Sequence, residues 1–199
     1  GPFCPVDCME YPFPDLLDYY PRDYHWMYLS VFQIIAYVLF LVSNHYQAAP
    51  ERKIHSLSSL SFGLIAAIVL LLAYYIQFAV IPISMMKGET EGIALLSQYN
   101  GHGIFIAMEE LGYISMSISY LFLALAIPGR KGITRILRIT LFSAFPLVAL
   151  SFLVFTLQYG IDRNYRFEVT AITICWLVSI IAGTLISIQT RKYLKALRL

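Results

Sequence analysis

Five stretches of about twenty apolar residues run through this chain, separated by short polar connections, and they leave almost no room for anything else. A bilayer core is crossed by roughly 20 apolar residues in an α-helix. In lipid the backbone must satisfy its own hydrogen bonds, which leaves helices or closed barrels as the spanning structures. The stretches are too long for barrel strands. The expected fold is therefore all-α: a polytopic membrane helix bundle of about five transmembrane helices. Composition agrees, because 59% of the 199 residues are hydrophobic and only 13% are charged, about half the usual charge of a soluble domain.

The expected segments are His25 to Ser43, Leu57 to Met85, His102 to Ile127, Ile139 to Tyr159 and Val169 to Ile188. Pro82 should bend the second helix near its end, and Pro146 should kink the fourth. Ile93 to Tyr99, inside the Gly-rich connection Lys87 to Gly101, reads as a short helix on the membrane surface. Residues 1–24 form a polar, proline-rich lead in which Gly1–Pro2 reads as a tag remnant. Residues 25–190 form the membrane domain, and 191–199 a basic tail that should rest on anionic headgroups. The lead is acidic and aromatic rather than basic before an apolar run, so the first hydrophobic segment is expected to be a retained helix.

Charge distribution sets the expected orientation. With the amino terminus outside, the cytoplasmic segments hold Arg52, Lys53, Arg130, Lys131, Arg135, Arg138, Arg191, Lys192, Lys195 and Arg198. The outer segments hold only Arg22, Lys87, Arg163 and Arg166. Basic residues collect in cytoplasmic loops, so the reading is N-out, C-in, in a cell membrane. The net charge of +2 gives no argument for nucleic acid, and the bilayer is the expected partner.

One helix breaks the apolar pattern. Glu109 and Glu110 lie about seven residues into the third segment, roughly 10 Å below its outer end. A charged group at a helix centre costs about 2.5–3.5 kcal/mol on the insertion scale. Such acids should face protein or a water-filled cavity, pair with a donor, or hold a proton. Successive helix positions differ by about 100°, so the two must point differently. Counting by three and four places His102, Ile106, Tyr113 and Tyr120 with Glu109, and Gly103, Ile114 and Ser117 with Glu110. Gln33, Tyr37, Tyr74, Gln77, Gln158 and Trp176 fall at similar depth on the other helices.

The functional expectation is an acidic polar pocket in the outer half of the bundle, binding or moving a small amphipathic or cationic ligand, or protons, as a transporter, receptor or sensor would. Glu109, Glu110, Tyr113, Gln33, Gln77, His102 and Trp176 are its candidate residues. Two rivals stand beside it. One is an intramembrane enzyme using a glutamate as general acid or base on a lipid-like substrate. The other is a structural subunit of a larger complex, the acids locking helices together. Five helices without an inverted repeat fit alternating access poorly, so carriage would call for a homodimer.

Other chemistry finds less footing. Cys4 and Cys8 read as a disulfide or free thiols outside the membrane rather than as a metal site, since their spacing matches no strong zinc pattern. Cys175 reads as a small buried apolar residue. His25, His45, His55 and His102 are spread over membrane boundaries and give no bis-histidine haem pair. No helix carries a lysine for a retinal Schiff base, so no cofactor is expected. The adjacent glutamates invite comparison with the paired-glutamate motif of intramembrane prenyl-protein proteases. That motif has an arginine where this chain has Ile114, and needs mid-membrane histidines that it lacks.

Overall fold

The computed structural model describes residues 9–129 and 131–196, with side chains as far as Arg191. Cys4, Cys8, Arg130 and the tail side chains beyond Arg191 lie outside the described residues. The structure is 81% helix without strands among the described residues. Its long helices are α1 (His25–Gln47), α2 (Lys53–Ala79), α5 (Ile104–Ala126), α6 (Gly132–Tyr159) and α7 (Tyr165–Ala196). Two short ones, α3 (Ile81–Met86) and α4 (Ile93–Leu96), lie between α2 and α5. All five long helices are long and apolar enough to cross a membrane.

Their surface is the reverse of a soluble protein's. Phe32, Leu39, Ile68, Leu72, Leu150 and Leu157 are each at least half exposed, and contiguous exposed apolar surface on this scale is what lipid, not water, tolerates. On the inner face of α2 the buried residues are small or polar apart from Leu70: Ser56, Ser59, Gly63, Ala66, Ala67, Ala73, Tyr74 and Gln77. Small residues let helices approach without an aqueous hydrophobic effect to press them together.

α5 is the central helix. It is buried nearly all round, from Phe105 and Glu109 through Tyr113 and Ser117 to Leu123 and Ala126, and packs on α2, α6 and α7. It runs antiparallel to α2. The Arg52 guanidinium donates to the Leu125 and Ile127 carbonyls at 2.9 and 3.0 Å. Midway, Ser59 and Ser119 exchange hydrogen bonds with each other's carbonyls at 2.9 and 2.7 Å. Near the far end Tyr74 meets Glu109. At Gly112 the helices are so close that a Cβ would stand 2.6 Å from the Leu70 side chain.

Several boundaries differ from the sequence expectation. α2 stops at Ala79 and Pro82 sits in the first turn of a separate helix, α3, because proline is accepted at a helix start but not inside one. α4 is shorter than expected, and one side of it is buried. Ile93 and Ala94 are buried against Phe13, Leu16 and Ile81 in a small second core, so the lead segment and the 87–103 connection together roof one end of the bundle. α6 begins seven residues early and carries Arg135 and Arg138 within the helix; it runs on through Pro146 and ends at Gly160, whose φ of +62° only glycine adopts freely. α7 begins at Tyr165, which puts Glu168 in its first turn rather than in a loop.

Candidate functional site

At the roofed end, α2, α5 and α7 bring their polar side chains together inside the bundle. Glu109, on α5, is fully buried. Its Oε1 accepts a hydrogen bond from the Tyr74 hydroxyl of α2 at 2.9 Å. Tyr74 and Tyr113 hydroxyls lie 3.0 Å apart, and the Trp176 indole N–H of α7 donates to Tyr113 at 3.1 Å. The placement follows from helix periodicity: Tyr113 is four residues beyond Glu109, so both face the α2–α7 side. Trp26 of α1 closes the cluster edge-on against the Tyr74 ring, with centroids 5.4 Å apart. Both tryptophans of the chain therefore touch this one cluster.

Glu168 completes it. It is buried, and its carboxyl lies within hydrogen-bonding reach of the Glu109 carboxyl. Among the described residues, Glu109 Oε2 and Glu168 Oε2 have no hydrogen-bond donor. A buried carboxyl oxygen without a donor costs about 1–3 kcal/mol, more when charged, and two facing carboxylates add repulsion. A proton shared between them, or a small cation, satisfies both at once.

Glu110 points elsewhere, as the 100° step requires. Its Oε2 lies 3.3 Å from Nη2 of Arg163 in the α6–α7 turn, with the two side chains 16% and 22% exposed. Arg163 also lies over the Phe152 ring, 4.6 Å from its centroid. The pair stands on the partly accessible flank of the buried cluster, and connects the central helix to the turn preceding Glu168.

The roof is held by polar side chains. Gln77 donates to the Leu96 carbonyl at 2.7 Å and accepts from the Gln98 backbone N–H at 3.1 Å. Asn100 donates to the Ala94 carbonyl at 3.0 Å. Tyr99 donates to Asp23 at 2.8 Å; burial and the Asp23 carboxylate hold its phenol well above the usual range, so it stays a donor. Tyr165 donates to the Tyr99 carbonyl.

Of the seven residues expected from the sequence, the structure thus gathers Glu109, Tyr113 and Trp176 around one point, with Glu110 beside them. Gln77 serves the roof. His102 is exposed, and only its backbone N–H bonds, to Asn100 Oδ1 at 3.2 Å. Gln33 lines a different cavity, a slot of about 290 Å3 between α1 and α7 whose floor is Met116 and Tyr120. Gln158 faces outward. Glu168, Tyr74 and Arg163 are the members that the seven lacked. Tyr74 has matching depth by sequence, whereas Glu168 and Arg163 read as part of a connecting loop. The signal for Glu168 was available: Glu168, Cys175, Ser179 and Ala182 share one stripe of α7.

No family model, curated protein or solved structure matches this chain.

Proposed function

We propose that the chain is an integral membrane protein of the sensor, receptor or transporter kind, in which the Glu109–Glu168 pair takes up a proton or a small cationic group. The observation that carries this reading is the pair of neighbouring buried carboxyls, Glu109 and Glu168, each with one oxygen that has no donor among the described residues. Tyr74 fixes the position of Glu109, Tyr113 fixes Tyr74, Trp176 fixes Tyr113, and the Glu110–Arg163 pair offers the polar flank through which the cation arrives. The distribution of basic residues supports placing this end outside the cell. The distortion that follows occupancy has a direct route into the bundle, because Glu109 lies on the central helix and Glu168 at the start of α7.

The test is infrared difference spectroscopy on the purified protein during an acid titration, with intrinsic tryptophan fluorescence recorded in parallel. The expected result is a protonated-carboxyl band that disappears in both Glu109→Gln and Glu168→Gln, with a fluorescence change at the same pH. A band untouched by either replacement, in variants that retain their helicity, defeats the reading.

A second reading, in which the protein holds a lipid-like molecule, is favoured by the slot between α1 and α7, which Gln33 and Ser179 edge with polar atoms. Gly183 lines this slot and has open space where a Cβ would stand. Gly183→Leu should therefore exclude a co-purifying lipid without moving the carboxyl band, which separates the two readings.

A further inference from the structure

The opposite end of the bundle carries an excess of positive charge that no ion pair offsets among the described residues. From Leu111 to Ile161 the sequence contains no acidic residue, while Arg130, Lys131, Arg135 and Arg138 all fall within nine positions. Glu51, on the neighbouring turn before α2, is exposed. Neither Arg135 nor Arg138 makes an ion pair among the described residues.

The two arginines differ in what already holds them. Arg138 is tied down: its Nε donates to the Ala124 carbonyl and its Nη1 to the Gly129 carbonyl, both at 2.9 Å. It closes the carboxyl end of α5, where free carbonyls and the helix dipole favour a cation. Its Nη2 makes no hydrogen bond among the described residues. Arg135 is exposed and makes no hydrogen bond among the described residues. It lies one turn before Arg138 on α6.

Between α5 and α6 these arginines edge a cavity of about 270 Å3, lined otherwise by Ala124, Leu125, Ile139 and Phe142. Ile139 and Phe142 are 58% and 48% exposed. Residues 135, 138, 139 and 142 recur at three- and four-residue spacing, so one stripe of α6 passes from guanidinium groups at the helix end to bare apolar side chains toward its middle. This is the polarity gradient of a phospholipid. Arginine supplies planar paired donors that suit a phosphate, and basic pockets between helices at a membrane boundary recognise anionic headgroups.

We propose that this face binds an anionic phospholipid, its phosphate held between Arg135 and the free edge of the Arg138 guanidinium and one acyl chain lying along Ile139 and Phe142. The site is at the far end from the carboxyl pair, so it stands or falls independently of the reading above.

Arg135→Gln is the informative variant, because Arg135 makes no hydrogen bond among the described residues; Arg138→Gln would also uncap α5. Lys87→Gln, exposed at the roofed end, is the control. Native mass spectrometry of the purified protein in micelles doped with dioleoyl phosphatidylglycerol or dioleoyl phosphatidylcholine reads the bound lipid. The phosphatidylglycerol adduct should dominate. Arg135→Gln should weaken it about five-fold, the effect of one basic residue near an anionic headgroup, while Lys87→Gln and the phosphatidylcholine adduct stay unchanged. Equal retention of the two lipids overturns the proposal, as does an equal loss in both variants. Displacement of phosphatidylglycerol by inorganic phosphate overturns it in favour of a simple anion site.

Discussion

The contact that most directly positions the carboxyl cluster is made by a residue with no side chain. Gly112 lies one turn from Glu109 on α5, and Leu70 lies one turn from Tyr74 on α2, so their approach sets the distance at which the Tyr74 hydroxyl meets Glu109. In Gly112→Ala the new Cβ would stand 2.6 Å from both Cγ and Cδ2 of Leu70, whereas ordinary contact begins at 3.4 Å. The helices or the leucine must therefore yield by at least 0.8 Å (3.4 less 2.6). The obstacle is a branch carbon, and Leu70 is fully buried, so rotation about its outer bond does not relieve the overlap. Overpacking of this kind costs about 1–3 kcal/mol, against which alanine recovers about 1 kcal/mol of helix propensity. The net expectation is a destabilisation of up to about 2 kcal/mol, with a changed tryptophan spectrum as Tyr74 is pushed from Glu109. Reversible unfolding in mixed micelles, followed by circular dichroism, measures the first quantity, and emission in the folded state the second. Leu70→Ala alone should cost about 2–5 kcal/mol. Combined with Gly112→Ala it should cost less than the sum, because the added methyl enters the vacated space, with a coupling of about 0.5–3 kcal/mol. Strict additivity, or a Gly112→Ala protein at least as stable as the parent, refutes the reasoning.

Other replacements probe the same architecture. Tyr74→Phe removes the donor to Glu109 Oε1 and should destabilise the bundle by about 1–3 kcal/mol in the same unfolding assay, with the emission shifted through Trp26. Arg163→Ala leaves Glu110 unpaired on a partly accessible flank. Its cost should exceed the roughly 1 kcal/mol of an exposed pair and stay below the about 3–5 kcal/mol of a fully buried one, and adding Glu110→Gln should restore most of it. The reciprocal Ser59–Ser119 pair should show a double-mutant coupling of about 0.6–1.7 kcal/mol, the range of hydrogen bonds between membrane helices. His102→Ala should leave the cluster's fluorescence and its acid titration unchanged; a shift in either would place the imidazole nearer the acids than its exposed position allows.

Much of this protein is legible without coordinates. Five apolar runs of membrane-spanning length follow from hydropathy alone, because lipid tolerates few other ways of satisfying a backbone. The anomaly of Glu109 and Glu110 is likewise visible in one helix, since an acid amid apolar residues must be answered by something. The 100° step between neighbours also foretells that the two meet different partners, and Tyr113 falls beside Glu109 by counting. What the sequence leaves open is which partners answer. Gln33 and Gln77 have the right depth but the wrong rotation or the wrong end of their helices, about which depth says nothing, and His102, aligned with Glu109 by counting, stands before α5 begins. Glu168 and Arg163 look like ordinary residues of a polar connection until α7 is seen to start at Tyr165 and the connection to fold over the bundle. Hydrophobic patterning decides that a helix forms and roughly where it lies. Rotation about its axis and its approach to its neighbours, set here by Gly112 against Leu70 and by the serines of α2 and α5, decide which polar atoms meet. Those depend on the packing of all five helices at once, and so belong to the tertiary structure alone.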